Sequence, residues 1–96
     1  MKRYVLSPRA QVDIEEIWHY TAKRWNIEQA ERYIRMIQAE IEQVASDPAR
    51  GRACGTIRGG YQKSPAGLHM LFYRLTDRGV DIVRILHQRV DFEGHF

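Results

Sequence analysis

The sequence predicts an α+β fold with element order β-α-α-β-β-β, an antiparallel sheet with an αα-hairpin packed on one face. Three observations lead there. Residues 8–25 and 27–46 each repeat apolar side chains at intervals of three and four, the spacing of one helix face. Two runs rich in β-branched, aromatic and aliphatic residues, 68–75 and 80–86, flank Thr76-Asp77-Arg78-Gly79, a polar break whose glycine takes φ > 0 at no steric cost. A short extended segment, 2–6, precedes the helices. Ninety-six residues leave room for one hydrophobic core, so 1–96 reads as a single domain.

Each element has a local reason. Residues 2–6 place Tyr4 and Leu6 on one face and begin with charges, which suits a strand at or near an edge. In Ser7-Pro8 the serine accepts a bond from a free backbone N–H, and proline fits the first helical position. Ala10, Ile14, Ile17, Trp18, Thr21 and Trp25 then form one helical face ending near Trp25. Asp13, Glu15 and Glu16 lie early in this helix and Lys23 and Arg24 late, complementing its dipole. Asp13, like Glu28/Arg32 and Glu31/Arg35, is expected to be a solvated surface charge. Asn26 restarts the pattern as an N-cap with Gln29 at the third helical position, and Trp25 is placed to staple against Ala30. The second stripe, Ile27, Ala30, Ile34, Ile37, Ile41 and Val44, runs to about Ser46. A turn this short makes the helices antiparallel.

Asp47-Pro48 ends the second helix, because the residue before proline avoids the helical region. A loop over 49–55 is expected next, then an irregular strand over 56–58 and 61–64 whose Gly59-Gly60 suggests a bend or bulge. Pro65-Ala66-Gly67 reads as the turn into the hairpin. In the hairpin, Leu68, Met70 and Phe72 point one way and Leu71, Tyr73 and Leu75 the other. Strands apolar on both faces are central strands. Pairing Leu75 with Val80 sets Arg74 opposite Asp81, and the matching charges favour that register. A one-residue slip would turn Arg84 to the other face.

Composition narrows the function. A hydrophobic content of 44% with 28% charged residues is that of a soluble globular chain. The single cysteine, Cys54, excludes an intrachain disulfide and reads as a small loop residue without chemistry. No Cys/His grouping has zinc spacing, so no metal and no cofactor is expected. No apolar run approaches a membrane span and the first residues do not resemble a signal peptide. A cytoplasmic location without membrane contact follows. The net charge of +3 is uneven: residues 1–48 carry seven Lys/Arg against eight Asp/Glu, and residues 49–96 eight against four. The basic excess lies with the strands and suits an acidic partner, nucleic acid or polypeptide.

Nucleophile elbows, phosphate-binding glycine loops and paired carboxylates are missing from the sequence. His19, mid-helix, and His95, in the tail, read as surface residues. What remains is basic and aromatic: Arg58, Tyr61, Lys63, Tyr73, Arg74, Arg84, His87 and Arg89. Arginines fix phosphates or carboxylates, histidine moves a proton, and tyrosine stacks or donates. Such a set fits metal-free RNA cleavage through the 2′-hydroxyl. It fits the anchoring of an acidic peptide equally well. Arg74 is assigned to the structural pair with Asp81.

Several segments, taken in order, resemble the ParE toxins of bacterial type II toxin–antitoxin systems, within the RelE/ParE superfamily. They are Leu6-Ser7-Pro8-Arg9-Ala10 with Asp13 and Ile17; Trp25-Asn26-Ile27-Glu28-Gln29-Ala30; Asp47-Pro48 with Gly51; Arg58-Gly59-Gly60-Tyr61; Phe72-Tyr73-Arg74; and Val83-Arg84-Ile85-Leu86-His87. The resemblance implies a RelE/ParE-like fold and a toxin held inactive by a ParD-like antitoxin in a hetero-oligomer, through an acidic segment that wraps around it. It implies DNA gyrase as the target, inhibited by protein–protein contact without catalysis. RelE relatives on the same fold cut mRNA in the ribosome, with a set that ends in a C-terminal tyrosine. Here no tyrosine follows Tyr73, and an RNase would have to rely on Arg84 and His87. A non-toxic binding module is the third alternative. The expected partner-binding surface comprises Trp18, Tyr20 and Trp25 beside the helix pair, with Arg58, Tyr61, Lys63, Tyr73, Arg84, His87 and Arg89 on and around the sheet.

Overall fold

Capping chemistry sets both helices where the sequence places them. The computed structural model describes residues 3–53 and 60–89. Strand β1 (Tyr4–Leu6) leads through Ser7 into α1 (Pro8–Arg24), whose first turn is closed by the Ser7 hydroxyl accepting from the Ala10 N–H at 3.0 Å. The Asn26 side chain accepts from the Gln29 N–H at 2.7 Å and starts α2 (Ile27–Ser46). A 3-10 turn, Pro48–Arg50, follows, then β2 (Arg52–Ala53), β3 (Gln62–Ala66), β4 (His69–Thr76) and β5 (Gly79–His87). Cys54, Arg58, Gly59, the expected strand at 56–58 and the tail from residue 90 with His95 lie outside the described residues.

The sheet order is β1-β5-β4-β3-β2, so the two apolar runs are central, as expected. Strands β2 to β5 form an antiparallel meander. The expectation of a wholly antiparallel sheet needs one correction, since β1 pairs with β5 in parallel, Tyr4 opposite Val80 and Leu6 opposite Ile82. No tight turn joins β1 to β5; both helices and the whole meander intervene, so hairpin geometry does not dictate their direction. Gly79, at φ 132°, lets β1 come close, because a side chain there would run into the Arg3 backbone. Pro65 also departs from expectation, lying inside β3 opposite Met70 rather than in a turn. Strand β2 reaches only Gln62 and Lys63, so Pro65 sits where β3 has become the sheet edge and its missing N–H costs no ladder bond. The turn itself is made by Gly67, at φ 62°, with Leu68.

The hairpin register is the one the charges favoured. Leu75 faces Val80, and Arg74 faces Asp81 with 3.6 Å between Nε and Oδ2. Beyond that pair the ladder shifts by one residue: Tyr73 faces Ile82, but Phe72 faces Arg84. Val83 is the extra residue of a β-bulge. Ile82 and Ile85, three positions apart, therefore reach the same core with Tyr73 and Leu71. That core also takes Ala10 and Ile17 from α1 and Ile37, Ile41 and Val44 from α2. Phe72 and Leu86 form a smaller cluster with Tyr61 and Met70 on the opposite face.

Helix α1 stabilises the bulge. Past Leu6, strand β1 has ended and β5 has no strand neighbour on that side. The Ser7 hydroxyl donates to the Val83 carbonyl at 2.7 Å, and the Asp13 carboxylate accepts the Ile85 N–H at 2.9 Å. Two backbone groups that a sheet edge would leave unpaired are thus satisfied by helix side chains.

Candidate partner-binding groove

Where the α1–α2 junction meets the Gly67-Leu68 turn and the ends of β4 and β5, a groove of about 840 Å³ opens. Tyr20, Trp25 and Leu68, which line it, are 68%, 67% and 65% exposed. Exposed apolar groups of this size beside one another mark an interaction surface more than an ordinary protein exterior. Trp25 is the C-cap residue of α1 and stands largely in solvent. The Arg24 guanidinium lies 5.4 Å from the centre of its ring. Arg9 and Arg24 bring positive charge to the lining, and Glu16 a negative one.

The groove includes a buried ion pair. Arg84 is 8% exposed and Asp13 4%. The Arg84 Nε donates to Asp13 Oδ2 at 2.8 Å and its Nη2 to Oδ1 at 3.0 Å. This two-pronged contact raises the Arg84 pKa above its ordinary value, chiefly through the hydrogen bonds to Asp13. Asp13 is thus no surface charge. Its position on the inner face of α1, one turn after Ala10, puts it against the bulge, where the Ile85 N–H is its third donor.

Beside the ion pair lie two imidazoles. His69 on β4 and His87 on β5 face one another directly across the ladder, with ring centroids 5.4 Å apart. The Tyr33 hydroxyl of α2 is 2.7 Å from His69 Nδ1 and accepts the Leu68 N–H at 2.9 Å. Burial, and then the neighbouring His87, push the His69 pKa down to about 4, so that ring is uncharged at neutral pH. Burial raises the Tyr33 hydroxyl, with the Leu68 N–H opposing. Neither His69 nor Tyr33 is among the residues expected from the sequence.

The expected surface is only partly assembled. Tyr20, Trp25 and His87 line the groove, and Arg84 lines it through the ion pair. Trp18 is half-buried on α1 and is not part of the lining. Tyr61 and Lys63 belong to β3 and the segment before it, away from the groove. Arg89 is exposed in the turn after β5. Two assignments need correction. Tyr73 is 0% exposed; its hydroxyl donates to the Pro48 carbonyl at 2.7 Å and accepts the Gly51 N–H at 2.9 Å, pinning the loop after α2. Arg84 is an internal partner of Asp13, so its guanidinium is not presented to a macromolecule. Arg58 lies outside the described residues.

Three comparisons bear on this fold and groove. Residues 4–92 match the family model described as the ParE toxin of the type II toxin–antitoxin system, parDE. The chain belongs to the ParE toxin family. Toxin ParE1 of Mycobacterium tuberculosis is 53% identical over 92 residues, covering 95% of this chain and 94% of that protein. Toxin ParE1 of Caulobacter vibrioides is 43% identical over 95 residues, 99% and 98% of the two chains. Among solved structures, a chain of the chromosomal ParDE toxin–antitoxin system from P. aeruginosa superposes with a TM-score of 0.78 at 15% identity, over 91% of this chain and 96% of that one. At that identity the likeness concerns the fold. Among the described residues no helix is long and apolar enough to cross a membrane.

Proposed function

We propose that this ParE-family toxin acts by gripping DNA gyrase, without making or breaking a covalent bond itself, and is neutralised by a ParD-like antitoxin seated in the groove. The observation that carries the non-catalytic reading is the Asp13–Arg84 contact. A phosphodiester transition state needs an accessible cation beside the proton-transfer group. Here Arg84, the arginine an RNase would have to rely on with His87, already gives two N–H groups to a buried carboxylate, and exposing it would leave Asp13 uncompensated. No tyrosine stands after Tyr73 to replace it. Gyrase as the target follows from what ParE toxins are associated with.

For the antitoxin, the groove supplies the features of an interface centre: exposed aromatic anchors, Tyr20 and Trp25, next to arginines. An extended or helical segment carrying apolar side chains and acidic groups is complementary to it. The antitoxin encoded with the toxin should form a hetero-oligomer with this chain in the cytoplasm. Trp25→Ala is expected to weaken that complex by on the order of 30-fold, the effect of a central aromatic anchor, as measured by titration calorimetry. An unchanged affinity removes the groove from the interface. Induction in bacteria without antitoxin should leave plasmid DNA relaxed or cleaved and transcripts intact. Cut transcripts with normally supercoiled plasmid overturn the gyrase reading in favour of a ribosome-dependent endonuclease.

A further inference from the structure

We propose that His69 and His87 form a binding site for a divalent transition-metal ion, Zn²⁺, Ni²⁺ or Cu²⁺, held between strands β4 and β5 in the groove. The inference is independent of the gyrase and antitoxin readings. Imidazole nitrogen is a favoured ligand for these ions. The two histidines are 18 positions apart in sequence, a spacing without metal-binding character, and the bulge brings them directly opposite one another. Two imidazoles that ligate one ion through nitrogens about 2.0–2.1 Å away at a near-tetrahedral angle have ring centroids about 5 Å apart. The observed separation is 5.4 Å.

The surroundings favour ligation. His69 is oriented through Nδ1 by the Tyr33 hydroxyl, 2.7 Å away. That oxygen has two acceptor positions; the Leu68 N–H takes one, and the other suits the Nδ1 proton of His69, the tautomer in which Nε2 is a ligand. A hydrogen-bonded oxygen behind the ring is the usual outer partner of a metal-binding histidine. His87 Nδ1 accepts the Arg89 N–H at 3.1 Å in an exposed turn. Ligation by His87 gives up that single bond, and the Arg89 N–H passes to water at little cost. Both rings are partly exposed, so water completes the coordination and the ion has a way in. The other charged groups lining the groove are Arg9, Glu16 and Arg24, with Asp13 and Arg84 neutralising each other.

The test is calorimetric titration of the untagged chain with Ni²⁺ and Zn²⁺, with circular dichroism to verify folding of every variant. The wild type should bind one ion, and His87→Gln should weaken binding at least about tenfold. Tyr33→Phe, which keeps both ligands and removes the oxygen behind His69, should weaken it by about tenfold. His19→Gln, on the exposed side of α1, should bind as the wild type does. Equal affinity in His87→Gln and the wild type overturns the proposal. So does the absence of uptake by the wild type at about 1 mM metal.

Discussion

Asp13 shows how much one carboxylate can hold. It neutralises Arg84 and caps the Ile85 N–H from inside the protein. Removing one partner of a buried pair leaves an uncompensated charge, so Asp13→Ala is expected to lose about 3–5 kcal/mol in urea denaturation. Combining Asp13→Leu with Arg84→Met should recover part of that, the remainder being about 1–3 kcal/mol for the unpaired Ile85 N–H. A single-variant loss below about 1 kcal/mol would make the pair a surface-type contact. His69 gives a pH signature of known sign. Its folded pKa of about 4 lies below the roughly 6.5 of a free histidine, so the unfolded chain takes up the proton first. Its contribution is fully present above about pH 6.5 and is lost as pH falls toward about 4. Stability measured across that window should fall less steeply in His69→Gln; an unchanged slope would show that His69 titrates normally.

The helices were legible because their signals are local. Ser7-Pro8, Asn26 with Gln29, and Asp47-Pro48 each fix a boundary through chemistry within a few residues, and both helices begin and end there. The hairpin was legible near its turn, where Arg74 and Asp81 match. Farther out it was not. Counting outward from the turn without a bulge sets His69 opposite Leu86, whereas the shift at Phe72/Tyr73 sets it opposite His87. The histidine pair therefore had no sequence signal. Arg84 was misread for a related reason. Its partner is 71 residues away on α1, at a helix position whose burial depends on the bulge it helps to hold. Ser7 acts at both ends of this arrangement, as N-cap and as donor to Val83. Ser7→Ala should cost about 2 kcal/mol, the upper end for a lost cap, and lower the melting temperature. A loss of a few tenths would mean that the bulge stands without α1.

Across the whole molecule, the basic excess carried by residues 49–96 is divided between two roles. Arg50 is drawn to Glu40, with 2.9 Å between Nε and Oε2, and Glu40 also accepts from the Ser64 hydroxyl at 2.6 Å. Burial raises the Glu40 pKa, but the Arg50 and Ser64 hydrogen bonds outweigh it and hold the carboxyl below its usual range. Arg74 and Arg84 are likewise spent on internal partners. The charge left for recognition is smaller than the composition suggests, and the proposed binding role of the groove rests correspondingly more on its exposed Tyr20, Trp25 and Leu68. This division of charge supports the proposed reading, in which the chain binds its target and does not cut. The most direct test is a titration of purified chain into a gyrase supercoiling reaction, with transcript integrity followed in a translating extract at the same concentrations. Loss of supercoiling or accumulation of cleaved DNA, with intact transcripts, is the predicted result. Unimpaired gyrase alongside cleaved transcripts would contradict the account.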